Sequence, residues 1–317
     1  MASARLFLLG WRLAPKVPEP VLRGTFNLLA DLAWLRRGKG VRRLEANYAK
    51  IRPELDRRAL RRLSRRGMRS YLRYFREAFT LQSLTAEQVN RRVRLVGAEN
   101  APEVIEQGGA AVLALGHLGN WDLAGAFATP NIAPVLTVAE RLKPQEVYEA
   151  FVGYRSSIGI EVLGLGESGV FDALVAGARG RRRIICLLAD RDLSHTGVEV
   201  RLAGHQAWVA AGPATVALRA GVRLHPTSST YERVRGAERK AVGSPWRMVL
   251  HVHPAVAVPP LDGSLPPEEA KREQVRAYTQ AWVDVLGSVI KKHTEDWHML
   301  QRVFSADLDL ERLPRVK

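Results

Sequence analysis

Apolar residues recur along this chain at two different spacings. Up to about residue 95 they return every three to four positions, the period of a helix with one buried face. Leu6-Phe7-Leu8-Leu9-Gly10-Trp11 opens the series, and Phe26, Leu28, Leu29, Leu32, Trp34 and Leu35 continue it. RRGKG at 36–40 breaks two helical stretches. Leu44, Tyr48 and Ile51 then lead to the turn Arg52-Pro53-Glu54. An arginine-rich helix is predicted over about 56–80, with Leu60, Leu63, Met68, Tyr71, Leu72, Tyr74 and Phe75 on its apolar face. From about 108 the pattern changes to short apolar runs at 110–115, 134–138, 159–165, 183–189, 222–228 and 247–253. Helical segments near 121–128, 144–157, 168–179 and 212–220 separate them, and Gly212-Pro213 suits a helix start. PPEEA at 266–270 opens a longer helix, to about 293, with proline and acids where an N-terminus favours them. Strand and helix in alternation predict an α/β fold with a largely parallel central sheet flanked by helices. Ahead of it lies an amphipathic helical element, with a division at 1–95 and 96–317.

Composition adds a direction to that picture. The chain has 317 residues, 46% of them hydrophobic and 25% charged, enough for a sizeable core and too apolar for wholesale disorder. Residues 1–100 carry 23 Lys and Arg against 8 Asp and Glu, a net of +15; the rest of the chain nets +1. One-sided basic charge predicts an anionic partner surface, nucleic acid or acidic lipid. Trp, Phe and Leu mixed with the arginines favour lipid, the pattern of a helix lying in a membrane interface. No zinc finger or aromatic RNA-binding signature supports nucleic acid. No run approaches the ~20 apolar residues of a membrane span, and the start lacks a signal-peptide shape. The expectation is a peripheral protein on the cytoplasmic face of the cell membrane, against an anionic leaflet. The lone Cys186 forms no internal disulfide, which suits a reducing compartment, and reads as a small buried hydrophobe.

Candidate chemistry concentrates in AAVLALGHLGNWDLAGA, 110–126. A six-residue apolar strand runs into Gly116-His117, and Asp122 follows five residues later at a predicted helix start. The crevice beyond the carboxyl ends of parallel strands is where ligands bind in such sheets. Gly116 and Gly119 permit close backbone approach. The spacing alone is weak, since chance supplies about one His-x-x-x-x-acid match in a chain of this composition; the strand, glycine and helix context strengthens it. A neutral imidazole accepts a proton near neutral pH, and a carboxylate on its other nitrogen fixes the tautomer. Asp122 is one candidate for that carboxylate, and Asp190, at the end of RIICLLA, is another. Both are expected on the same rim of the sheet. Arg155, Glu199, His225, His251, His253 and His298 read by themselves as ordinary surface, strand or packing residues. No metal-ligand spacing appears, and no GxSxG elbow or other covalent serine site stands out.

GHLGNWDLAG resembles the His-x-x-x-x-Asp signature of the glycerolipid and lipid A acyltransferases. TVAERLKP (137–144), FVGYRSSIG (151–159), LLADRDLSHTGVEV (187–200), AGPATVAL (211–218) and DWHMLQ (296–301) sharpen the match. In that order they closely resemble the phosphatidylinositol mannoside acyltransferases of actinobacteria, over roughly 5–312. The resemblance implies acyl transfer from acyl-CoA, as co-substrate and with no further cofactor, to a mannose 6-hydroxyl of phosphatidylinositol mannosides. It implies His117 as base and an acid partner at Asp190, where the family pattern carries a glutamate, one methylene longer. Asn120, Glu140, Arg141, Arg155 and Arg191 fall on motif positions near the substrates. The alternatives left open are a lipid A-type or lysophospholipid acyltransferase using an acyl carrier protein, and a thioester hydrolase. Any of the transferases calls for a mostly apolar groove that ends near His117.

Overall fold

A computed structural model describes residues 10–140, 145–166, 168–180, 182–192 and 194–308. Leu6 to Leu9 of the first apolar cluster, and Arg141, lie outside them. After a short helical stretch over 10–16 come three longer helices: α1 (Glu19–Arg36), α2 (Lys39–Ile51) and α3 (Arg57–Leu81). They form where the three-to-four spacing places them, because each buries one stripe. In α3 that stripe is Leu63, Met68, Tyr74, Ala78, Phe79 and Leu81, and Asp56 caps its start by accepting the Ala59 N–H at 2.6 Å. Gly67 lets α2 and α3 meet: a Cβ there would lie 2.4 Å from the Tyr48 hydroxyl. That hydroxyl donates to the Trp297 carbonyl at 2.9 Å, tying α2 to the far end of the chain.

The short α4 (Ala86–Arg92), opened by a Thr85–Gln88 capping box, leads into the sheet. The strands are β1 (Val93–Val96), β2 (Ala110–Leu115), β3 (Val135–Ala139), β4 (Ile160–Gly164), β5 (Arg183–Leu188), β8 (Leu224–Arg233) and β9 (Trp246–Val252), in spatial order β1-β9-β8-β2-β5-β3-β4. All but one of the ladders are parallel. Helices α5 (Pro102–Ile105), α6 (Trp121–Asn131), α7 (Gln145–Ser157), α8 (Val170–Arg179), α9 (Gly212–Ala220), α10 (Gly236–Val242) and α11 (Pro267–Lys292) complete the chain. β2 is buried along its whole length, as a central parallel strand must be. The fold is therefore α/β, with a mostly parallel central sheet flanked by helices.

Three features differ from the sequence reading. β9 runs antiparallel to β8, because the short link through α10 lets the chain turn back but not cross over. Val93–Val96, inside the stretch read as helical, is a strand: four residues carry little periodic signal, and pairing with β9 decides their state. A separate hairpin joins β6 (Val198–Leu202) to β7 (His205–Val209), turning through Ala203 and Gly204, both at positive φ.

Candidate active site

Parallel register builds the site. β2 pairs with β5 so that Leu115 faces Leu188. Two residues further along each strand, at the carboxyl rim, His117 comes against Asp190. Its ring Nδ1 lies 2.5 Å from Asp190 Oδ1. The His117 backbone N–H donates to Asp190 Oδ2 at 2.9 Å, and the Trp297 indole N–H donates to the same oxygen at 2.8 Å. Burial, the largest influence, pushes the Asp190 carboxyl up. The neighbouring His117 and the hydrogen bonds outweigh it and hold Asp190 below the ordinary carboxylate value. An ionised carboxylate accepts only, so the shared proton sits on Nδ1, and in the neutral ring the lone pair is at Nε2. The His117 side chain is 21% exposed and Asp190 fully buried. Among the described residues Nε2 has no hydrogen-bond partner.

The loop carrying His117 is held from the far end of the chain. Leu118 and Trp297 form an antiparallel bridge. The His298 N–H donates to the His117 carbonyl at 2.7 Å, and the Gly119 N–H donates to the Asp296 carbonyl at 2.9 Å. Gly119 is required here: its φ is +57°, and a Cβ would lie 2.4 Å from the Ser229 carbonyl oxygen. His298 is buried against Ser70, at 3.1 Å, and burial drives its pKa down to about 3, so it is neutral. Asp296 accepts from the Ser70 hydroxyl at 2.7 Å and the Tyr231 N–H at 2.8 Å.

Asp122 does not meet His117. Fully buried in the first turn of α6, it accepts from the Tyr74 hydroxyl on α3 and from Arg155 Nε on α7, each at 2.8 Å. It locks three helices together. Burial pushes the Arg155 guanidinium down, but the Asp122 charge and hydrogen bond leave its pKa raised. Tyr74 stacks on Trp121 at 4.2 Å, and the His117 and Trp121 rings meet edge to face at 5.7 Å. The Asp122 group thus backs the wall beside the histidine. Asn120 is fully buried too. Its carbonyl caps α6 by accepting the Leu123 N–H at 2.9 Å, and its amide donates to Glu77 at 3.0 Å. Glu140 and Arg191 follow β3 and β5 on the rim near His117, 3.5 Å apart, with Glu140 exposed. Arg141 lies outside the described residues.

An apolar cleft opens beside Trp121. It runs over one face of the sheet under α6, floored by Leu113, Leu115, Ile184, Cys186 and Leu188. Gly125 and Asp122 line the covering helix, and Arg155 lies in the wall. Its lining suits an apolar ligand, and Trp121, whose ring meets that of His117, is part of that lining. Among the described residues, no group of three or more His, Cys, Asp or Glu is placed to hold a metal ion. No described helix is long and apolar enough to cross a membrane.

Tyr74 and Trp297 were not singled out from sequence. Tyr74 shares its helix face with Tyr71 and Phe75, and its hydroxyl role depends on a residue 48 positions away. Trp297 acts across 107 positions, and its one signal was its place in the DWHMLQ motif.

The family model for bacterial lipid A biosynthesis acyltransferases matches residues 2–306. The phosphatidylinositol mannoside acyltransferase of Mycolicibacterium smegmatis is 36% identical over 97% of this chain and 93% of its own length. Its counterpart in Mycobacterium tuberculosis is 34% identical, over 97% and 90%. The crystal structure of the 1-acyl-sn-glycerophosphate acyltransferase of Thermotoga maritima overlays with a TM-score of 0.33 and 15% identity, covering 82% of this chain and 97% of that one.

Proposed function

The chain belongs to the bacterial lipid A biosynthesis acyltransferase family and is an acyltransferase, and we propose that it moves a fatty acyl group from acyl-CoA to a mannose 6-hydroxyl of a phosphatidylinositol mannoside. One observation carries the reading: a histidine whose Nδ1 proton is held by a buried carboxylate meets Trp121, which lines an apolar cleft. In this reading the acyl chain lies in the cleft with its thioester carbonyl at the rim. The acceptor hydroxyl attacks that carbonyl carbon while Nε2 of His117 takes its proton. Asp190 stabilises the imidazolium that forms. Collapse of the tetrahedral intermediate breaks the carbon–sulfur bond. The leaving sulfur takes the proton back from Nε2 and departs as free CoA, leaving the ester. No acyl-enzyme and no cofactor enter the scheme. Asp122, with Tyr74 and Arg155, positions Trp121 and the histidine loop. Glu140, Arg191 and Arg141 serve the acceptor and the donor phosphates. The protein works as a peripheral enzyme on the cytoplasmic face of the cell membrane, bound to an anionic leaflet.

The test is release of CoA from palmitoyl-CoA, with and without phosphatidylinositol dimannoside, for the wild type and His117→Ala. Release that requires both the glycolipid and His117 supports the reaction. Release without an acceptor indicates a thioester hydrolase. Release only from an acyl carrier protein, or only onto a lysophospholipid, moves the reading to the lipid A-type or lysophospholipid transferases.

A further inference from the structure

One stretch of the cleft wall comes from a small element with little to hold it. Ala98, Ala101, Val104 and Ile105 line the cleft there. The last two belong to α5, which is four residues long and has no side-chain cap. A single helical turn has no stability of its own. The Gly109 N–H donates to the Glu103 carbonyl at 2.7 Å, which sets α5 beside the amino end of β2. His117 follows the carboxyl end of the same strand. β2 spans six residues, about 20 Å at the usual strand rise, so α5 and the histidine stand at opposite ends of it.

Among the described residues, side-chain hydrogen bonds tie α5 and the turn before it to the sheet at two places. Asn100 donates to the Val252 carbonyl at 2.9 Å. Glu103 Oε1 lies 2.6 Å from Nε2 of His225. Register puts His225 opposite Leu113, a residue of the cleft floor, so the two side chains rise from one face of the sheet. His225 is fully buried, and its Nδ1 lies 3.0 Å from the His253 carbonyl oxygen. A carbonyl oxygen only accepts, so Nδ1 carries a proton. Nε2 faces a carboxyl oxygen at 2.6 Å, where two lone pairs would repel, so a second proton lies between ring and acid. The contact is charge-assisted, and Arg223 approaches the other Glu103 oxygen at 3.4 Å.

We propose that His225 and Glu103 are positioning residues that clamp α5 as the distal wall of the acyl cleft and so set which chain lengths the enzyme prefers. The proposal rests on the reading that the acyl chain lies in this cleft. A chain whose carbonyl is at the His117 rim meets Val104 and Ile105 only if it is long; a short chain stops before them. An apolar contact would hold α5 at a smaller desolvation cost. The buried pair adds a fixed distance and direction, which a wall that measures chain length requires.

The experiment measures kcat and KM for palmitoyl-CoA and octanoyl-CoA on the full chain, with phosphatidylinositol dimannoside as acceptor. Glu103→Ala frees α5. Its KM for palmitoyl-CoA is expected to rise about tenfold, the worth of two buried methylene groups, with octanoyl-CoA unchanged and kcat kept for both. Glu103→Gln restores the tie, because its NH2 donates to Nε2 of a singly protonated ring, and the palmitoyl-CoA KM returns to near the wild-type value. Glu103→Ala leaves a buried ring nitrogen unpaired, so its unfolding midpoint is measured alongside. Ile105→Ala carries the test independently: the side chain is 37% exposed, its loss spares the clamp, and it raises KM for palmitoyl-CoA alone. Equal changes for both donors in Glu103→Ala would overturn the proposal in favour of a general loss of structure. A Glu103→Gln protein that behaves like Glu103→Ala would overturn it too, as would an unchanged palmitoyl-CoA KM in Ile105→Ala. Failure of the underlying reading shows elsewhere, in Gly125→Leu, which fills the cleft under α6. If that variant leaves chain-length preference unchanged, the cleft is not the acyl site; if it alters the preference and Glu103→Ala does not, the clamp alone fails.

Discussion

Replacing Asp190 with asparagine tests the core of the site with a change of a single group. Both oxygens of Asp190 are committed: Oδ1 to the His117 Nδ1–H, and Oδ2 to the His117 and Trp297 N–H groups. An asparagine has one acceptor oxygen and one NH2. With the oxygen at the Oδ2 position, two donors stay satisfied and the NH2 faces Nδ1. Nδ1 must then accept, the ring proton moves to Nε2, and the base is lost. The flipped amide points its NH2 at two N–H donors and leaves both unpaired in a buried site, at about 1–3 kcal/mol each. The first orientation wins, so the protein folds with the wrong histidine tautomer. In the serine-protease triad the equivalent change lowers kcat by about 10⁴. The expected loss here is about 10³–10⁴, or roughly 4–5.5 kcal/mol of barrier, mainly in kcat. The assay is the initial rate of CoA release across a palmitoyl-CoA titration, with the unfolding midpoint as a check on folding. A folded Asp190→Asn protein within tenfold of wild-type kcat would refute the tautomer reasoning.

Tyr74→Phe removes one of the two hydrogen bonds to buried Asp122 and is expected to lower stability by about 1–3 kcal/mol, read by urea unfolding, with a smaller effect on kcat than Asp190→Asn. Gly125→Leu projects a side chain into the cleft, where even a Cβ would lie 2.3 Å from Ile160 Cδ1; KM is expected to rise for palmitoyl-CoA and far less for a short acyl-CoA, and equal effects on both would count against the cleft as the acyl site. His298 supplies a pH prediction. Its folded pKa of about 3 lies below the ordinary 6.5, so between those values the unfolded chain binds a proton that the folded chain does not. Its contribution to stability therefore falls as pH drops from 6.5, by about 2 kcal/mol between pH 7 and pH 5. His298→Gln is expected to flatten the dependence of unfolding free energy on pH by that amount, whatever its stability at pH 7.

Sequence alone carried the helices and most of the strands, because their signals are local. A helix stripe repeats within three or four residues, and six consecutive apolar residues ending in Gly116 announce β2. The same short range exposed His117 and placed it at a strand end facing a helix start. Packing decided the rest. Asp122, five residues from His117, was as close a candidate as sequence could offer, yet the α6 turn aims it at Tyr74 and Arg155. Asp190, 73 residues away, reaches the histidine because β2 and β5 run parallel and in step, so equal distances past two strand ends meet on one rim. The basic surplus of the first hundred residues was legible as a count. Which arginines are neutralised by Asp31, Glu45 and Glu19 depends on how three helices pack. Hydrogen bonds and ion pairs across tens of residues form only after that packing, and no local periodicity records them.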